Sequence, residues 1–226
     1  MATSSAMIPT TCDATPRAGD CGCSDVASAF DGASPAYKRV LWIVIALNAA
    51  MFLVEIVAGQ VAGSMALQAD ALDFLADSLT YGITLAVLGM SLRMRAGAAL
   101  AKGISLSVMG AYVLGASLWR TFLEGTPEAI AMGAVGAAAL AVNVIAALLL
   151  LRYRDGDANV RSVWLCSRND AIGNVAVLAA AGIVAVTGTK WADLGVAAIM
   201  AGLFLTSSMR IIRQAMAELK TTRAAT

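Results

Sequence analysis

Six apolar stretches, at residues 40–62, 64–90, 98–119, 129–151, 160–186 and 191–212, take up most of the chain. Each is close to the roughly 20 residues that a helix needs to cross the hydrocarbon core of a bilayer. Inside lipid, backbone N–H and C=O groups must be satisfied within the structure, so stretches of this length fold as helices. Charged residues are 14% of the chain and hydrophobic ones 59%, against about 25% charged in soluble domains. A soluble fold of this size has too little interior to hide so much apolar surface. The expected fold class is an all-α membrane protein with six transmembrane helices.

The connections at 91–97, 120–128, 152–159 and 187–190 are short, and Gly125-Thr126-Pro127 and Asp155-Gly156-Asp157 are turn signals. They leave room for one membrane domain, expected over 37–213, with a short tail at 214–226. Residues 1–36 are rich in Ala, Ser, Thr, Gly and Asp and are expected to form a flexible tail. They hold no apolar run of signal-peptide length, so no cleavable leader is expected.

Lysine and arginine positions set the expected orientation. With both termini in the cytoplasm, the inside carries Arg17, Lys38, Arg39, Arg93, Arg95, Lys102, Arg152, Arg154, Arg161, Arg210, Arg213, Lys220 and Arg223, and the outside only Arg120 and Lys190. Arg168 falls within the fifth helix. This asymmetry puts both termini inside, as in a bacterial inner membrane, and puts the tail cysteines in a reducing compartment.

The second helix is unusual. Asp70, Asp73 and Asp77 lie in an otherwise apolar run. An Asp at a helix centre costs about 2.5–3.5 kcal/mol on insertion, and intramembrane acids mark ion or proton pathways. Asp73 and Asp77 are four apart and share a helical face. The fifth helix repeats the spacing with Cys166 and Asp170. The two helices run in opposite directions, and at 1.5 Å per residue both pairs fall near mid-membrane. Packed side by side, they bring Asp73, Asp77, Cys166 and Asp170 to one point.

Three oxygens and one sulfur from two i,i+4 pairs suit a tetrahedral divalent ion. The thiolate disfavours Mg²⁺ and Ca²⁺ and favours Zn²⁺ and Cd²⁺, with Co²⁺, Fe²⁺ and Ni²⁺ within reach. Taken alone, Cys166 is equally a small apolar packing residue. Asp70 is left with three roles: supporting the ligands, relaying protons, or pairing with Arg168. Asn169 and Asn174 on the fifth helix, and Asn48 and Glu55 seven apart on the first, either serve the same pathway or tie helices together. In the tail, Cys21-Gly-Cys23 with Cys12 upstream is either a soft-metal capture site or an incidental set of thiols.

The stretch from Gly63 to Ser78 resembles the second-helix signature of the cation diffusion facilitators. The similarity covers about residues 38–213. The resemblance implies a usually dimeric six-helix exporter of divalent metals driven by proton exchange. It places the ligands on Asp73 and Asp77, and on Cys166 and Asp170 where the family commonly has His or Asp followed by Asp. The family's His-rich loop between helices four and five is replaced by residues 152–159, and the expected form is one that lacks the family's cytoplasmic metal-binding domain after helix six.

The expected function is proton-coupled efflux of divalent transition metals by alternating access, the transported metal and H⁺ being cargo and no cofactor being required. Metal loading needs deprotonated ligands and therefore releases protons. The competing expectations are a proton-coupled exporter of small organic cations and a membrane metal sensor or accessory subunit. There is no histidine, which removes the HExxH protease motif. No nucleophile–base pairing points to an enzyme, and no basic cluster interleaved with aromatics points to nucleic acid. The expected partners are metal ions, membrane lipid and a second copy of the chain.

Overall fold

The computed structural model describes residues 34–86, 92–122, 125–155 and 158–224. Six helices follow one another: α1 (Pro35–Val61), α2 (Met65–Ala86), α3 (Leu92–Thr121), α4 (Ala129–Leu150), α5 (Ala158–Thr187) and α6 (Trp191–Ala224), with one 3₁₀ turn at Leu151–Tyr153. There is no strand among the described residues. Cys12, Cys21 and Cys23 lie outside the described residues.

The helices overrun their apolar stretches where charged residues follow. α1 begins at Pro35, inside the expected tail, because Ser34 caps it: its Oγ accepts from the Tyr37 N–H at 3.2 Å, and proline is pre-shaped for a first turn. α3 starts six residues before the apolar run, and α6 carries on through most of the expected C-terminal tail. Apolar content marks where lipid is, whereas helix ends are set by caps and turns.

Five of the six helices are long and apolar enough to cross a membrane. The exception is α2, whose three aspartates break that criterion. It is also the centre of the bundle, touching each of the other five helices. The closest pairings are α1 with α2, α3 with α6, and α4 with α5. Large apolar side chains such as Leu53, Val57, Ile130, Ile172, Val186 and Leu203 point outward, as lipid-facing surfaces require.

Gly59 and Gly63, four apart, do different work at the α1–α2 turn. A Cβ on Gly59 would come within 2.9 Å of the Gln68 side chain, so its absence lets α1 lie against α2. Gly63 has φ +67°. The Ser64 N–H bonds to Gly59 O at 3.0 Å and the Gly63 N–H to Gln60 O at 3.3 Å, the paired bonds of a Schellman stop.

The two largest of the apolar clusters among the described residues lie toward opposite ends of the bundle. One, near the α1–α2, α3–α4 and α5–α6 turns, contains Met65, Leu67, Val113, Met132, Val184 and Leu194. The other, toward the opposite end, contains Tyr37, Leu41, Val44, Tyr81, Leu150 and Val163. Most of the intramembrane acids lie between them.

Candidate metal centre

The centre is built on α2, and the start of α2 is held from another helix. Asp193, in the first turn of α6, is buried. Its carboxylate accepts from Ser64 Oγ at 2.6 Å, the Met65 N–H at 2.8 Å and the Ala66 N–H at 3.0 Å. Ser64 Oγ in turn accepts from the Leu67 N–H at 3.1 Å. The first N–H groups of a helix have no partner within it, and here they meet a carboxylate, which the helix dipole also favours. Arg120 donates to Gly63 O at 2.7 Å, and Lys190 Nζ donates to Arg120 O and Thr121 O at 3.1 and 3.2 Å. The ends of α2, α3 and α6 are thus tied together.

One turn into α2, Asp70 is buried and accepts from Asn174 Nδ2 on α5 at 2.5 Å. Asn174 Oδ1 accepts from Asn143 Nδ2 on α4 at 2.8 Å. Glu55 on α1, also fully buried, lies close to Asp70, and neither of its carboxyl oxygens has a hydrogen-bond partner. Four helices therefore meet at Asp70. Asn48 is buried on the same face of α1, with neither side-chain atom hydrogen-bonded.

Asp73 and Asp77 follow on α2, with Asp170 of α5 close to both, one of its buried oxygens having no hydrogen-bond partner. The Tyr81 hydroxyl donates to Asp77 Oδ2 and sits 3.4 Å from Val163 O. Cys166 is a free, half-buried thiol that packs at the edge of the second apolar cluster, beside Tyr81. Three of the four expected ligands, Asp73, Asp77 and Asp170, are brought together, and Cys166 stands next to them across Tyr81. Among the described residues no group of three or more Cys, Asp and Glu side chains is arranged so that it could hold a metal ion as it stands. The carboxyls face one another, and Tyr81 engages one oxygen of Asp77.

Two of the surrounding expectations change. Arg168 is exposed, stacks over the Trp164 ring at 5.3 Å and bonds to Asn169 at 3.0 Å, so it does not pair with Asp70. Asn169 is exposed as well and faces away from the acids. Three contributors were not singled out from the sequence: Asp193, Tyr81 and Asn143. Tyr81 lies one turn beyond Asp77, and that i,i+4 spacing is the signal that could have found it. Asp193 and Asn143 are lone polar residues on apolar helices, and only packing reveals what they face.

A bundle with a lipid-facing exterior and an ionisable interior is a multi-pass integral membrane protein. The family model described as the cation efflux transmembrane domain matches residues 41–220. The chain belongs to this family, the cation diffusion facilitators, whose members are transporters and not enzymes. It is similar to the metal cation efflux system protein CzcD of Cupriavidus metallidurans, 27% identical over 180 residues covering 74% of this chain and 57% of that protein. It is similar to the zinc transporter ZitB of Escherichia coli, 28% identical over 195 residues, 80% of this chain and 62% of ZitB. It also resembles a cadmium, cobalt and zinc/H(+)-K(+) antiporter of Bacillus velezensis, 25% identical over 192 residues, 78% of this chain and 61% of that protein. The chain spans about three-fifths of the length of these relatives.

Proposed function

We propose that this protein exports divalent transition-metal cations in exchange for protons, holding the ion at Asp73, Asp77, Cys166 and Asp170. The observation that carries the proposal is the gathering of three carboxyl groups from α2 and α5 in the bundle interior, between apolar clusters at its two ends. Carboxylates crowded together in a buried site repel one another, and bound protons relieve that repulsion. A divalent ion satisfies the same oxygens only by expelling those protons. Metal and protons then compete for one set of atoms, which is the requirement for antiport.

The step on the loading side has four parts. Tyr81 swings from Asp77, the carboxyls give up their protons to the cytoplasm, Cys166 comes in as thiolate, and the ion binds. On the far side protons return to the oxygens and the ion leaves. The buried carboxyl groups of Glu55 and Asp70, next to Asp73, offer a second proton-holding position on the path. Zn²⁺ and Cd²⁺ are the favoured cargo because sulfur joins the oxygens, and Co²⁺, Fe²⁺ and Ni²⁺ fall in the same chemical range. The names of the relatives, which cover zinc, cadmium, cobalt and proton antiport, support this choice. The lysine and arginine asymmetry supports cytoplasmic termini in a bacterial inner membrane. Residues 37–213 are the transport domain in this reading, and the family resemblance supports a homodimer. Cys12, Cys21 and Cys23 would pass metal to the inner mouth.

Proteoliposomes with an imposed proton gradient test the proposal through uptake of Zn²⁺, Cd²⁺ and an organic cation. Wild type should move the metals, and Asp73→Asn or Asp170→Asn should abolish transport. Near-normal metal flux in either variant rejects the site, and flux of the organic cation alone rejects the cargo.

A further inference from the structure

Lys102 belongs to the basic end of the bundle, where Lys38, Arg93 and Arg152 also lie. It stands ten residues into α3, about 15 Å along the helix from Leu92. α6 passes close by at this level: a Cβ on the neighbouring Gly103 would come within 2.7 Å of the Ile212 side chain. Ile212 ends the apolar stretch of α6 and lies between the exposed Arg210 and Arg213. Lys102 is therefore at the depth where lipid tails give way to headgroups. Helical side chains tilt toward the helix start, so its ammonium reaches toward those headgroups.

The residue is half-buried and lines a cavity of about 160 Å³ between α2 and α3. Ala76 and Leu106 are buried at the floor of this cavity, and Leu79, Ala101 and Ser105 are exposed at its rim. The Ser105 hydroxyl is committed to Ala101 O at 3.1 Å, and Lys102 is the one charged group on the walls. Among the described residues no carboxylate pairs with it, the ion pair found there being Arg154 with Asp155.

Such a cavity specifies an occupant in two parts. An apolar space of about 150 Å³ is enough to admit benzene, so this one takes a stretch of about six acyl carbons. The ammonium beside it calls for an anion. A molecule that joins an acyl chain to an anion, and that reaches an exposed rim between membrane-spanning helices, is an anionic phospholipid. Basic pockets between transmembrane helices bind headgroups of this kind.

We propose that the α2–α3 cavity binds one anionic phospholipid, with an acyl chain entering over Leu79 and the phosphate paired to Lys102. None of Asp73, Asp77, Cys166 and Asp170 lines the cavity, so the lipid site stands whether or not those residues hold metal.

The test is native mass spectrometry of the full chain released from nanodiscs of equal parts phosphatidylglycerol and phosphatidylcholine. Wild type should retain one phosphatidylglycerol over phosphatidylcholine by about fivefold, the effect of one lysine on an anionic lipid. Lys102→Gln should erase that preference and Lys102→Arg should keep it, with Lys102→Met taking the place of Lys102→Gln if that variant expresses poorly. Ser105→Phe fills the cavity with the charge in place, and should lower phosphatidylglycerol retention by a similar factor. Arg93→Gln, at the same end but outside the cavity, should leave the preference unchanged. No preference in wild type, or a preference that survives Lys102→Gln or Ser105→Phe, overturns the proposal. An equal loss in Arg93→Gln also overturns it, because diffuse attraction to the basic end then suffices. If Ser105→Phe turns a dimer into a monomer and leaves lipid retention unchanged, a second copy covers the cavity and the lipid site is wrong.

Discussion

Replacing Asp193 by Ala tests whether α2 is held in place from α6. The side chain is buried and accepts three hydrogen bonds, from Ser64 Oγ, the Met65 N–H and the Ala66 N–H. Alanine leaves these donors without a partner in a site closed to water. Each unsatisfied buried donor costs about 1–3 kcal/mol. Ser64 Oγ–H can rotate to another acceptor, which leaves two donors and a loss of about 2–6 kcal/mol. For a chain of this length that corresponds to a fall in Tm of about 4–24 °C, measured by thermal unfolding of the detergent-solubilised protein. Asp193→Asn keeps one acceptor oxygen and should lose about half as much. Ser64→Ala alone removes one donor to Asp193 and one acceptor for Leu67, and should cost about 1–2 kcal/mol. The double variant should lose less than the sum of the singles, because they share a bond. A loss below about 1 kcal/mol for Asp193→Ala, or strict additivity with Ser64→Ala, would refute the reasoning.

Three further outcomes follow from the site. Tyr81→Phe removes the hydroxyl that engages Asp77, so Cd²⁺ should bind a few-fold more tightly in calorimetry with little change in Tm. Cys166→Ser exchanges sulfur for oxygen and should lower the preference for Cd²⁺ over Zn²⁺ about tenfold in competition uptake, whereas unchanged selectivity would make Cys166 a packing residue. Asn174→Leu breaks the bonds to both Asp70 and Asn143, and should lower stability by about 2–4 kcal/mol in the same thermal assay.

Sequence and structure agree where lipid does the selecting. Apolar length alone locates the cores of α1 and α3 to α6, since a bilayer admits little else. The pairs Asp73–Asp77 and Cys166–Asp170 were legible from helical spacing, because their faces are dictated by the 3.6-residue period. What was not legible depends on rotation and tilt between helices. Asp70 meets Asn174 rather than Arg168, because Arg168 lies on the outer face of α5 over Trp164. Asp193 sits far from α2 in the chain, and nothing local in its sequence distinguishes a cap for another helix from a cap for its own.

The central claim is that metal and protons compete for the same oxygens, and proton release on binding tests it most directly. Cd²⁺ is titrated into weakly buffered, nanodisc-embedded protein while pH and bound metal are followed together. Wild type should expel protons in proportion to metal bound, and Asp73→Asn and Asp170→Asn should lose both signals. Metal binding with no proton release, or full release in those two variants, would contradict the account.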